Sequence, residues 1–257
     1  MSVNTYLQDL ASDLVLSSSE KANITISLGN IKRKLETYFG GEVLEKKVFG
    51  SYERGTILPR SVDDDSDVDL MVVFKNSNGY KPQTFLAKLK NFVEFYYSRS
   101  EIYQSSPSIV LELQHIKFEL TPAYSLYGNY YIPNGQSDWI STDPDGFSDI
   151  LVDCNKNNGN KIKPIIRILK HWNIQKNAKD IASFELERTI AKNLRYEYYT
   201  STTYVEYAKA AFETIKSQTD YSKVNNAINH INKAVLLEKQ GMIYPALEEI
   251  KKSFPEI

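Results

Sequence analysis

The sequence predicts an α+β fold: two N-terminal helices, a small mixed sheet with one helix inserted, then a wholly helical half. Three observations predict it. Apolar residues recur at helical spacing over residues 19–39 and 83–97. They alternate at strand spacing in VDLMVVF, SIVLELQ and HIKFEL. From about residue 143 the pattern is helical almost throughout. The composition changes near Ser141-Thr142-Asp143-Pro144, so the boundary is placed between residues 1–142 and 143–257.

Residues 3–16 and 19–39 read as helices. Ile24, Ile26, Leu28, Ile31, Leu35 and Phe39 mark a mostly helical stripe in the second, and Gly40-Gly41 ends it. EVLEKKVF (42–49) reads as a strand running into Gly50-Ser51. In the strand 67–74, Val68, Leu70 and Val72 take one face and Asp67 and Asp69 the other. A helix over 83–97 follows, through Phe85, Leu89, Phe92, Val93 and Tyr96. Residues 108–114 and 115–120 are strands, either a tight hairpin or one bent strand, and Thr121-Pro122 is expected to stop the pattern. Helices are expected over 144–157, 162–177, 183–198, 203–217, 222–240 and 243–253.

The 257 residues, 42% apolar and 25% charged, have the balance of an ordinary globular protein. A formal net charge of −1 argues against strong nucleic-acid binding. The charge is uneven: residues 1–150 hold 14 basic and 20 acidic side chains, residues 151–257 hold 17 and 12. Cys154 is the only cysteine, which rules out an intrachain disulfide and fits a reducing cytoplasm. His115, His171 and His230 lack zinc-ligand spacing. The N-terminal stretch does not read as a signal peptide, and no run approaches the ~20 apolar residues of a membrane helix.

Asp67 and Asp69 are either a solvated sheet face or a metal site. Side chains two apart on a strand lie about 6.5–7 Å apart on one face, so both carboxylates can lean toward one divalent ion. Mg²⁺ takes a few carboxylates together with substrate phosphates, so a third acid is expected on a neighbouring strand. Glu119 in HIKFEL is the candidate, with Glu112 second. A glycine at a turn lets backbone N–H groups approach a phosphate. Gly50 and Ser51 therefore suit a phosphate loop, with Arg54 and Thr56 in reach of a phosphate or sugar. Asp63 and Asp65 form a rival acid pair, set aside because no apolar alternation surrounds them.

GSYERGT…DSDVDLMVVF resembles the nucleotidyltransferase superfamily that includes DNA polymerase β. Within it the chain is most similar to the bacterial cGAS/DncV-like nucleotidyltransferases, relatives of cyclic GMP-AMP synthase and oligoadenylate synthetase. KFELTPAY, WISTDP, IKPIIRILKHWN and SFELE extend the resemblance over about residues 40–190. The loop between Ser51 and Asp67 is a few residues longer than usual in that superfamily.

The resemblance implies a polymerase β-like core with an N-terminal helical spine, a C-terminal helical nucleotide-binding domain, and an active site in the cleft between. It implies that Asp67, Asp69 and Glu119 bind Mg²⁺ (or Mn²⁺) and that Glu119 helps deprotonate a ribose hydroxyl. Gly50 and Ser51 would cradle the triphosphate and Lys170 would neutralise its β/γ-phosphates. Ser183 would donate to the γ-phosphate and Phe184 would stack on a base. The implied activity joins ribonucleoside triphosphates, ATP among them, into a cyclic di- or trinucleotide for antiphage (CBASS) signalling, read by a separate effector protein. Transfer to an RNA end or protein side chain, or a catalytically inactive nucleotide-binding subunit, are the alternatives. The C-terminal SFPEI lacks the small last residue that covalent conjugation would suit. A cytoplasmic monomer is the working expectation, with oligomeric state, bases and linkage open.

Overall fold

The computed structural model describes residues 1–76 and 78–257. In chain order the elements are α1 (Val3–Asp13), α2 (Ser18–Phe39), β1 (Val43–Phe49), α3 (Gly50–Arg54), β2 (Asp67–Phe74), α4 (Pro82–Tyr96), β3 (Glu101–Ser105), β4 (Ser108–Glu112), β5 (Lys117–Leu126), β6 (Asn129–Asn134), β7 (Asp138–Thr142), α5 (Pro144–Asn157), α6 (Ile162–Asn177), α7 (Ser183–Asn193), α8 (Tyr204–Ile215), α9 (Tyr221–Lys239) and α10 (Ile243–Lys251). They form two compact units. One holds residues 17–55 and 65–146, the other residues 1–16, 56–64 and 147–257.

The first unit is built on a mixed sheet in the order β1-β2-β5-β4-β3, extended by β6 on β5 and β7 on β6. β2 and β5 are parallel and the other pairs antiparallel. Val68, Leu70, Val72, Phe118 and Leu120 are buried on one face. α4 buries Phe85, Leu86, Leu89, Phe92 and Val93, and Phe85 packs on Phe74 with ring centroids 4.9 Å apart. On the other face Met71, Val73 and Ala123 form a small apolar patch, which leaves Asp67, Asp69 and Glu119 at its upstream end.

The second unit is helical. Leu7, Leu10 and Leu14 of α1 join Ile165, Leu169 and Trp172 of α6 and Ala211 and Phe212 of α8 in one core. Trp172 meets Phe212 edge-on at 4.9 Å, and the Tyr6 hydroxyl donates to the Phe254 carbonyl at 2.5 Å. α1 belongs here, although the sequence groups it with the sheet as a spine helix.

Of the two arrangements the sequence leaves open for residues 108–120 the hairpin is found, and three differences concern the run of β5, three further strands and one helix end. β4 and β5 form a tight hairpin, with Leu113 N–H donating to the Ile116 carbonyl. β5 runs on through Pro122. That residue falls between the end of β4 pairing, opposite Leu120, and the start of β6 pairing, at Tyr124. One edge is open there, where a ladder tolerates a missing N–H. β3, β6 and β7 carry no clean alternation and are absent from the sequence reading. α7 ends at Asn193 and gives way to a short 3-10 turn over Glu197–Tyr199.

Candidate active site

The parallel register of β2 and β5 builds the site. It sets Asp69 opposite Glu119 and Asp67 opposite Lys117. Flanking residues Val68, Leu70, Phe118 and Leu120 are fully buried, so the two strands are locked and the acids cannot change face without exposing the core. Oxygens of Asp67, Asp69 and Glu119 all lie within 4.8 Å of one another. All three residues are half-buried. The ammonium of Lys117 reaches Asp67 Oδ2 only at 3.9 Å.

Two carboxylates this close repel by on the order of 3 kcal/mol at an effective dielectric near 20. The chain answers by keeping a proton. Burial first, then the charges of Asp69 and Glu119, push the Asp67 pKa up to about 8, with a hydrogen bond to Glu119 adding to the shift and Lys117 opposing it. Three hard oxygen donors crowded together fit a divalent ion of the Mg²⁺ or Mn²⁺ class.

Gly50 closes one side. It follows Phe49, which pairs with Asp69 across the β1–β2 ladder. Its φ is +73°, and a Cβ there would lie 1.7 Å from Asp69 Oδ2. Only glycine therefore fits, on both conformation and space. The half-buried Ser51 comes next, in the first turn of α3. So β1, α3, β2 and β5 bring Gly50, Ser51, Asp67, Asp69 and Glu119 into one unit.

Other residues singled out in the sequence are placed differently. Arg54 is buried. Thr56 is fully buried in the helical unit, and its hydroxyl donates to Glu187 Oε1 at 2.8 Å. Lys170, expected to stand clear of its helix stripe, is 6% exposed. Its ammonium donates to Glu187 Oε1 at 2.5 Å and to the Thr56 carbonyl at 3.1 Å. A buried charge needs such a partner, and α7 supplies it. Ser183 is exposed at the first position of α7, with Ala182 as N-cap. Phe184 is 46% exposed and meets Phe147 edge-on at 5.1 Å.

Sequence reasoning passed over Lys117 and Glu187. Glu187 did leave a signal: in SFELERTIA it falls between Leu186 and Ile190 on a buried stripe, an acid where an apolar residue is expected. Glu112 pairs with Lys117 across β4 and β5 and is not part of the acidic group. Asp63, Asp64 and Asp65 make a second acidic group. There Lys179 lies 2.8 Å from Asp63 and 3.7 Å from Asp64.

Residues 1–155 match the family model described as the second messenger oligonucleotide or dinucleotide synthetase domain. A cyclic AMP-AMP-AMP synthase of Acinetobacter is 23% identical over 207 residues, covering 76% of this chain and 60% of the synthase. The match thus spans less than two thirds of that relative's length. A protein of Bacillus cereus named as a probable cyclic nucleotide synthase is 24% identical, covering 84% of this chain and 82% of its own. Among solved structures, CdnC of E. coli with ATP superposes with a TM-score of 0.74 at 15% identity, covering 98% of this chain and 99% of its own.

Proposed function

The chain belongs to the second messenger oligonucleotide or dinucleotide synthetase family, and from that membership we propose that it is a metal-dependent nucleotidyltransferase. It joins ribonucleoside triphosphates, ATP among them, into a cyclic di- or trinucleotide. In this reading the product is an antiphage (CBASS) second messenger for a separate effector protein. The observation that carries the proposal is the β2–β5 register, which gathers Asp67, Asp69 and Glu119 within 4.8 Å beside a backbone that tolerates only glycine. The fold, an α+β nucleotidyltransferase core with a helical domain, is shared with the cGAS/DncV-like synthases.

Asp67, Asp69 and Glu119 would hold Mg²⁺ or Mn²⁺, which when bound offsets phosphate charge during attack of a ribose hydroxyl on an α-phosphate. The residues have distinct tasks. Asp67 releases its proton as the cation site forms. Glu119, hydrogen-bonded to Asp67 in the free protein, then has a carboxylate oxygen free to accept the hydroxyl proton. Gly50 and Ser51 present backbone N–H groups to the triphosphate, and the missing side chain at Gly50 leaves room for it. Ser183 donates to the γ-phosphate, and the exposed face of Phe184 takes a base. Lys170 is assigned to tying α6 to α7 through Glu187 instead of to the phosphates, because its ammonium is buried and already bonded. Pyrophosphate leaves at each transfer.

The test is a product assay. The purified protein is incubated with Mg²⁺ or Mn²⁺ and four α-labelled ribonucleoside triphosphates, treated with phosphatase, and the products separated. A phosphatase-resistant product that requires ATP and is lost in Asp67→Ala/Asp69→Ala is expected. A product that phosphatase trims to one phosphate fewer than its nucleosides is linear and overturns ring closure. Label that never leaves the mononucleotide pool overturns nucleotidyl transfer.

A further inference from the structure

The helical unit carries a basic pocket that the nucleotidyl-transfer reading leaves unused. It lies among α6, the first half of α9 and the end of α10, as an open concavity of about 190 Å³. Lys176, Lys223, His230 and Lys252 line it, and the buried Trp172 and Ser253 form part of its wall. Helix periodicity puts them there. Trp172 and Lys176 are four apart on α6, and Lys223 and His230 are seven apart on α9, two turns along one face.

The pocket's charges are only partly balanced. Glu249 is buried and accepts from His230 Nδ1 at 2.7 Å, from Lys252 Nζ at 2.8 Å and from Lys233 Nζ at 3.1 Å. Burial alone would raise its pKa, but these three donors outweigh burial and hold it at about 2. One carboxylate therefore fixes two lysines and a histidine. Asp220 lies three residues before Lys223, and its carboxylate is taken up in capping α9 through Ser222, at 2.8 Å to the N–H and 2.7 Å to the hydroxyl. Among the described residues no carboxylate lies within 4 Å of the Lys176 or Lys223 ammonium, although the charge of Lys223, after the hydrogen bonds from Ser222, helps to hold the Asp220 carboxyl down. The excess reaches the interior: the pKa of buried His171 is held down by burial and, further, by the charge of Lys176, against a hydrogen bond to the Pro255 carbonyl.

Like charges gathered round a concavity repel unless an anion joins them. The pocket is smaller than the roughly 300 Å³ at which drug-sized sites begin. It suits a small anion of high charge, and lysines bind phosphate as point charges. We propose that this pocket is a second anion site that takes a condensed phosphate, a di- or triphosphate group. None of its lining residues is among those assigned to nucleotidyl transfer, so the site stands or falls separately from that activity. The phosphate chain comes either from free pyrophosphate or from the tail of a nucleotide.

Calorimetry with inorganic pyrophosphate, tripolyphosphate and ATP tests this, using Asp67→Asn/Asp69→Asn protein in a metal-chelating buffer. One pyrophosphate per chain is expected, weakened at least about tenfold in a background that adds Lys176→Met/Lys223→Met and weakened by salt. Methionine keeps the apolar stem, so packing is retained. Asn226→Asp, which puts an acid on the pocket wall without removing any side chain, should weaken binding as well. ATP binding no tighter than tripolyphosphate supports the site and names the phosphate chain as its ligand; tighter ATP binding supports it and names a nucleotide. No pyrophosphate binding, or equal binding after loss of the two lysines, overturns the proposal.

Discussion

Two groups of three acids lie close together in the sequence and differ in almost everything else. In each, carboxylate oxygens approach within 4.8 Å. Asp63, Asp64 and Asp65 sit in the loop before β2. The Asp64 side chain is 90% exposed, and Lys179 serves both Asp63 and Asp64. Asp67, Asp69 and Glu119 sit on two paired strands, half-buried, with one lysine at 3.9 Å. The number of acids is the same. What differs is whether solvent and a flexible lysine can relieve the repulsion. In the loop they do, and such exposed pairs contribute about 0–1 kcal/mol. On the strands the ladder fixes the backbone and the core fixes the face, so the acids cannot move apart, and Asp67 keeps its proton.

The largest expected effect breaks this comparison at its centre. Asp69→Asn removes one charge from the strand group and should lower turnover on the order of a thousandfold, since loss of metal-ion charge stabilisation costs several kcal/mol. Asp63→Asn/Asp64→Asn, the matching change in the loop, should leave turnover within about twofold. Equal losses in the two proteins would show that proximity of acids, and not their placement on the ladder, sets the site. Gly50→Ala is expected to come second. Its methyl would meet Asp69 Oδ2 at 1.7 Å and occupy a φ of +73° that alanine adopts at a cost. Turnover should fall about a hundredfold while Gly55→Ala, also at positive φ but with nothing within 4 Å of the added carbon, mainly lowers stability. Full activity in Gly50→Ala would mean that Asp69 moves freely, against the rigid ladder.

The loop and strand groups were separable in the sequence for a local reason. Alternation of Val68, Leu70 and Val72 marks β2, and none flanks Asp63. Glu119 was legible in the same way, from Phe118 and Leu120. The register that sets Glu119 opposite Asp69 was not, because a parallel pairing across about fifty residues is fixed by tertiary packing. Lys170 shows the same limit. Its helix phase put it off the main stripe, but the buried Glu187 that holds it comes from another helix. β3 and β7 stayed hidden because EIYQS and DWIST are largely exposed, and β6 because NYYIPN, half-buried along most of its length, shows no alternation. Placement of α1 in the helical unit depends on Leu7, Leu10 and Leu14 meeting residues more than 150 positions away.

The smallest effect sharpens the comparison by pH. Asp67 has a folded-state pKa of about 8 against an ordinary 3.8. Between those values the folded chain binds a proton that the unfolded chain does not, so metal-free stability should fall as pH rises from about 4 to 8. Glu249 has the opposite sign. Held at about 2 against 4.5 by Lys252, His230 and Lys233 in spite of its burial, it contributes stability above pH 4.5 that is lost as pH falls toward 2. Thermal unfolding of wild type, Asp67→Asn and Glu249→Gln across this range separates the two. Asp67→Asn should flatten only the neutral limb and Glu249→Gln only the acid limb. Saturating Mg²⁺ should raise the wild-type melting temperature more at pH 8 than at pH 6, because the cation must displace the Asp67 proton. At a hundred times its dissociation constant the gain is about 2.7 kcal/mol, or roughly 5–10 °C for a chain of this size. A neutral limb that survives in Asp67→Asn would place the retained proton elsewhere, and the strand group would then be no more strained than the loop.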